Sequence, residues 1–352
     1  MRIAVLGAGR IGAFRARTLN GLPEVDEIVV GNRTVERAEK LAREVSGTAG
    51  TIEEAIDSGP DAVFVSLATE LHAKWLHRCI DAGLPIFCEK PIALTLPETA
   101  KVLEHAREAG ALIQVAFQRR LDPDYLRAYR AVRDGTLGTL YGIRITAHDA
   151  EPAPEEFIAS SGGTYRDLHV HDFDLARWLT GLEVDRVYAV GSVRGFDRYA
   201  RFGDVDNAAI LMTMSDGLPV LITGTRHNPR GLDFRLEVFG SEDSLSVGQN
   251  SLSQPRPVEP DTALPDKGPY RDFMERFGES LKQETVAFIG VVKGERENPS
   301  PPASAMEALR VAVACEVSRR EGGPVRVAEV QDEPSGLSGG DATAKGAGGD
   351  PA

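Results

Sequence analysis

Met1-Arg2-Ile3-Ala4-Val5-Leu6-Gly7-Ala8-Gly9-Arg10-Ile11-Gly12 decides the fold. The apolar run 3–6 has no polar alternation, as expected of a strand buried on both faces. It passes directly into Gly-x-Gly-x-x-Gly, after which the spacing turns helical. In that context Gly7 makes the tight turn, Gly9 lets backbone approach a pyrophosphate, and Gly12 lets helix and strand pack closely. Arg10 and Ile11 open the helix, whose unpaired N–H groups face the phosphates. The expectation is a dinucleotide-binding unit at the start of the chain.

Outward from there, apolar runs at 27–30, 62–66, 86–88 and 113–116 alternate with amphipathic stretches at 34–46, 70–82 and 96–109. That alternation predicts βαβ units around a parallel sheet. After Asp122-Pro123 the pattern changes. A helix is expected at 125–133, then strands at 141–146, 185–193, 207–214, 219–225 and 234–239. Turn signals such as Ser215-Asp216-Gly217 join those strands, as in an antiparallel sheet. Helices at 162–180, 271–293 and 303–320 and a strand at 325–328 complete the second half, and 251–269 reads as an irregular connection. The fold class is therefore α/β. An N-terminal Rossmann domain with a doubly wound parallel sheet occupies 1–120. A C-terminal α/β domain with an open, largely antiparallel sheet occupies 121–330. The segment 331–352 has too little apolar content to order itself and is expected to be a disordered tail.

A net charge of −13 argues against nucleic acid and anionic membranes as partners. No apolar run approaches the roughly 20 residues of a membrane span. The chain enters a strand at once, without a signal-peptide pattern, and its three cysteines have neither CxxC spacing nor a metal-ligand pattern. A cytoplasmic protein without a metal is expected.

Two segments carry acid–base chemistry. In Gly162-Gly163-Thr164-Tyr165-Arg166-Asp167-Leu168-His169-Val170-His171-Asp172-Phe173-Asp174, the helical spacing predicts Asp167, His171 and Asp174 on one face. An imidazole aligned between carboxylates suits proton transfer; His169, two residues off, reads as structural. In Cys88-Glu89-Lys90-Pro91, a lysine is fixed at the carboxyl end of a parallel strand, where open α/β sheets bind ligands. At the end of the second strand stands Asn32 followed by Arg33, where an NAD site usually has an acid. A neutral residue beside a guanidinium favours the 2′-phosphate of NADP; the alternative is NAD, with Asn32 on the ribose.

Together these motifs resemble the Gfo/Idh/MocA family, the glucose–fructose oxidoreductase and inositol dehydrogenase group. The resemblance runs from Met1 to about Val330. It rests on the glycine fingerprint, Ala68-Thr69-Glu70-Leu71-His72, Glu89-Lys90-Pro91, Phe117-Gln118-Arg119-Arg120, the Gly162–Asp174 segment and Glu237-Val238-Phe239-Gly240-Ser241. It implies that Ala68, Thr69, His72, Glu89, Lys90 and Gln118 join the fingerprint glycines, Asn32 and Arg33 around the cofactor. It also implies Lys90, Asp167 and His171 as catalytic residues, and Asp149 and Asp174 as polyol contacts.

The implied activity is NAD(P)-dependent hydride transfer at a secondary hydroxyl of a cyclitol, sugar or sugar derivative. A homodimer or homotetramer is implied as well. One departure stands out: Arg226-His227-Asn228-Pro229-Arg230-Gly231-Leu232-Asp233 lacks the tyrosines usual in inositol-type members. Arg230 stands at one such place, either facing a substrate carboxylate or phosphate or exposed in a turn. The rival readings are a reductase of another carbonyl or imine, and a cofactor-binding sensor without turnover.

Overall fold

The computed structural model describes residues 1–249 and 270–330. The expected connection at 251–269 and the expected tail at 331–352 lie outside them.

The first half runs β1 (Arg2–Leu6), α1 (Arg10–Asn20), β2 (Glu27–Gly31), α2 (Val35–Glu44), β3 (Thr48–Gly50) and α3 (Ile52–Asp57). It continues through β4 (Ala62–Val65), α4 (His72–Asp81), β5 (Ile86–Cys88), α5 (Leu96–Ala109) and β6 (Ile113–Val115). The sheet order is β3-β2-β1-β4-β5-β6, all parallel. Strand order reverses beside β1, so the loops after β1 and β4 part and open a crevice at the carboxyl edge. Local chemistry sets the element ends. In α5 the Thr95 hydroxyl caps the Glu98 N–H, and Gly110 closes the helix at φ 63°. The short β3 and α3 were not expected; three strand residues carry no readable period, although Thr51 and Glu54 form a capping box.

The second half comprises α6 (Pro123–Arg133), β7 (Leu140–His148), α7 (Glu155–Ser160), α8 (Thr164–Asp167) and α9 (Val170–Thr180). There follow β8 (Val184–Ser192), α10 (Arg198–Arg201), β9 (Asn207–Met214), β10 (Pro219–Thr225), β11 (Asp233–Gly240), β12 (Ser244–Val247), α11 (Phe273–Val292), α12 (Pro302–Glu321) and β13 (Val325–Arg326). The second sheet runs β12-β11-β7-β10-β9-β8-β13. Every pairing in it is antiparallel except β7 with β10. Its strands alternate in burial. Ile143, Ile145, Val187, Ile210, Met212, Val220, Ile222, Leu236 and Val238 face the core, which α9 and α12 cover. The opposite face presents Tyr141, Tyr188, Val190, Leu211 and Leu221.

One expectation is corrected. The helix expected over 162–180 is broken at Leu168-His169 into α8 and α9. And α11 returns to the first half: Phe288 meets Phe64 and Phe87 at ring-centroid distances of 5.2 and 5.6 Å. Each such aromatic pair is worth about 0.5–1.5 kcal/mol beyond its buried area.

Candidate active site

The crevice at β1 is shaped for a dinucleotide. Gly7 has φ 109°, and a Cβ there would lie 2.3 Å from the Ser66 carbonyl oxygen. At Gly12 a Cβ would fall 1.9 Å from the Gly7 oxygen, while above Gly9 nothing lies within 4 Å. Two glycines are thus demanded by packing and the third by open space, where a pyrophosphate could come against backbone. Helix α1 begins without a side-chain cap and without an acid in its first turn, and Arg10 there is exposed. A cation at a helix N-terminus is unfavourable alone and favourable once an anion lies between.

Asn32 accepts from the Ala8 N–H (3.1 Å) and donates to the Thr34 carbonyl (2.9 Å). Its side chain braces the glycine loop, and Arg33 next to it is exposed. Ala68 and Thr69 form the turn after β4, and Ser66 Oγ and Gln118 Nε2 are buried polar atoms without protein partners. His72 is a correction. It is 1% exposed, with Nδ1 2.8 Å from the Pro91 carbonyl and Nε2 3.0 Å from that of Leu67. It packs the loop after β4 against the lysine turn, its one N–H donating to one of these carbonyls.

Lys90 follows β5, and its peptide bond to Pro91 is cis. Its Nζ donates to the backbone carbonyl (2.7 Å) and Oδ1 (3.0 Å) of Asp167. Asp167 ends α8, which Gly162 and Gly163 introduce at φ 78° and 90°; a Cβ on Gly162 would press to 2.8 Å from Leu94. Arg226 bonds the other Asp167 oxygen at 2.9 Å and Asp149 at 3.3 Å. The result is a chain Lys90–Asp167–Arg226–Asp149 reaching across both halves of the molecule.

Burial alone would raise Asp167, but Lys90 and Arg226 hold it well below the usual carboxylate range. Burial raises Asp149, with Arg226 offsetting part of the shift. His171, in the first turn of α9, stands edge-on to Phe117 at 5.9 Å. Burial holds it far below the ordinary imidazole value, Lys90 and Arg119 push the same way, and Asp167 opposes them. Its ring is therefore neutral at pH 7, with one ring nitrogen free of a proton. Nδ1 is buried without a partner.

Two expected substrate contacts are not brought to this cluster. Asp174 is buried and held bidentate by Arg120 at 2.6 and 2.9 Å, so both oxygens are occupied. Arg230 lies exposed in the turn after β10, the alternative that its sequence left open. His169 is structural, as expected: its Nδ1 bonds Asp172 at 2.8 Å, and Asp172 also takes Arg119.

Sequence reasoning missed Arg226. No sequence spacing marks it: β10 runs parallel to β7 with Thr225 opposite His148, and that pairing sets 226 beside 149. Among the described residues no cluster of His, Cys, Asp or Glu could hold a metal, and no helix is long and apolar enough to cross a membrane.

Comparisons with known proteins agree with this geometry. Residues 1–117 match the model of an oxidoreductase family with an NAD-binding Rossmann fold, and residues 125–246 match the GFO/IDH/MocA C-terminal domain. The chain is 33% identical to the myo-inositol 2-dehydrogenase of Thermotoga maritima, over 94% of this chain and 99% of that one. It is 32% identical to the scyllo-inositol 2-dehydrogenase (NAD(+)) of Bacillus subtilis, over 93% and 96%. A solved structure described as a putative myo-inositol dehydrogenase from Sinorhizobium meliloti superposes with a TM-score of 0.84 at 31% identity, covering 93% of this chain and 99% of that one.

Proposed function

Because this chain belongs to the GFO/IDH/MocA oxidoreductase family, we propose that it oxidises a secondary hydroxyl of an inositol-like cyclitol. A nicotinamide dinucleotide bound along the β1 crevice would supply the hydride acceptor. The observation that carries the reading is Lys90 Nζ held on Asp167, with a neutral His171 four residues on in the first turn of α9.

In the proposed roles, His171 takes the hydroxyl proton as the carbon–hydrogen bond breaks. Lys90 orients the hydroxyl and stabilises the negative charge that develops on its oxygen. Asp167 stays ionised and fixes Lys90, while Asp149, partly accessible at 25%, accepts bonds from neighbouring ring hydroxyls. Gly7, Gly9, Gly12, Ala68, Thr69, Glu89 and Gln118 line the cofactor side. NADP is the favoured dinucleotide, since Asn32 is neutral and committed to the glycine loop and Arg33 is exposed beside it. The domain division places the cofactor half at 1–120 and the substrate half at 121–330.

The exposed apolar face of the second sheet supports a homodimer or homotetramer, because patches of that kind are rare on monomers. Light scattering after gel filtration tests the assembly. The three buried free thiols are in keeping with a cytoplasmic setting. The function is tested by following nicotinamide reduction with myo-inositol, scyllo-inositol and related cyclitols under both cofactors. Turnover of at least one cyclitol is expected; turnover of none overturns the reading.

A further inference from the structure

Arg15 is the largest wholly buried side chain among the described residues. It lies on α1, one turn past Gly12, where a helix packed on a sheet ordinarily turns an apolar residue inward. Instead five N–H groups are spent. Nε and Nη2 donate to Oε1 of Glu89 at 3.1 and 2.8 Å. Nη2 also donates to Glu284 Oε2 at 2.6 Å, and Nη1 to the Leu281 carbonyl and the Thr285 hydroxyl at 2.7 and 3.0 Å. The guanidinium lies 4.5 Å from the Phe87 ring centroid.

Desolvating a cation and two acids contributes little net stability, so the cluster is poorly explained as a fold stabiliser. Its geometry has a better account. Glu89 is the residue before Lys90, and Arg15 grips its carboxylate from the same helix whose first turn meets the dinucleotide phosphates. Glu284, 0% exposed on α11, grips Arg15 from behind. Burial pushes Glu284 up to about 8, Glu89 adds to that push and Arg15 offsets part of it. One guanidinium thus serves two acids, Glu89 and Glu284. Lys90 has a long flexible stem, so the place of its Nζ depends on where the turn holds its backbone.

We propose that Arg15 is a positioning residue for hydride transfer: by clamping Glu89 it fixes the Lys90 turn relative to α1 and thus to the bound dinucleotide. The inference rests on the dehydrogenase reading above. Misplacement of a reacting group by about 1 Å costs on the order of 10²-fold in rate.

The test compares R15K, E89Q and the R15K/E89Q double variant of the whole chain, saturated with cofactor. A lysine can point at one carboxylate but cannot bridge Glu89, Glu284 and the α11 carbonyl together. R15K is expected to lower kcat by about 10- to 100-fold with the KM for cyclitol within threefold. E89Q should reproduce the loss, and the double variant should be no worse than the poorer single, because both weaken the same charge-assisted contact. Single-variant kcat values within threefold of wild type, or losses that multiply in the double variant, overturn the proposal. If R15K does not fold, E89Q carries the test, since Glu89 is partly exposed. If wild type turns over no cyclitol, the functional reading fails separately. Amide hydrogen exchange of E89Q, which leaves the bonds of Arg15 to α11 in place, then decides for Arg15: faster exchange across 86–94 with α11 unchanged supports it, and unchanged exchange across 86–94 overturns it.

Discussion

Lys90 stands between two ionic clusters that use the same side-chain types to opposite ends. In front of it, facing the cleft, Lys90 and Arg226 share Asp167, and the carboxylate is held ionised. Behind it, Glu89 and Glu284 share Arg15, and burial leaves Glu284 protonated until about pH 8. The front cluster gives two cations to two acids, Asp167 and Asp149, whereas the rear one gives two acids a single cation. The front cluster keeps charge where a substrate hydroxyl would need it. The rear one removes charge from a region that excludes water.

Breaking the front cluster should cost most. Arg226→Met leaves Asp149 and Asp167 without their shared cation, and removing one partner of a buried pair typically costs about 3–5 kcal/mol. Denaturant unfolding should show a loss of that order, together with reduced turnover. His171→Gln and Lys90→Met should each lower kcat by roughly 10²-fold or more while the protein stays folded. Gly9→Ala meets no protein atom, so folding should be kept; dinucleotide Kd should rise about tenfold (about 1.4 kcal/mol), measured by reduced-nicotinamide fluorescence.

The pH dependence sharpens the contrast because the two clusters titrate in opposite senses. Asp167 has a folded pKa below its unfolded value, so its stabilisation is present above about pH 4 and is lost as pH falls. Glu284 has a raised folded pKa, so its penalty grows as pH rises from about 4 toward 8. Glu284→Gln never titrates and should gain stability relative to wild type over that interval in melting scans. Equal pH profiles for the two proteins would contradict a neutral Glu284. His171, held low by burial, should also give a kcat without an acid limb near pH 6.5, the ordinary histidine value. The smallest effect is expected at the cofactor: Arg33→Ala should lower kcat/KM for NADP severalfold and leave NAD nearly unchanged.

The rear cluster was the less legible of the two in the sequence. The glycine fingerprint, the β5 lysine turn and the alternating strands of the second sheet are local patterns, and period and turn chemistry expose them. The site is partly local as well, since Asp167 and His171 lie four residues apart. Arg226 and Arg15 are different. Each acts through partners far along the chain, Asp149 and Asp167 for one and Glu284 for the other, and no spacing rule links residues 15 and 284. The attention drawn to Arg230 fell on the right turn but the wrong arginine, because the parallel pairing of β10 with β7 is set by topology. Asp174 is a further long-range case: Arg120, 54 residues earlier, bonds both of its oxygens.

Hydride transfer from a cyclitol carbon beside Lys90 and His171 underlies the proposed function. It is tested most directly by incubating the protein with carbon-deuterated inositol and oxidised dinucleotide, then measuring deuterium in the nicotinamide ring. The account predicts one deuterium per reduced nicotinamide with wild type, and transfer at least roughly 10²-fold slower with Lys90→Met or His171→Gln. Reduced cofactor without label, or label transferred equally fast by both variants, would contradict it.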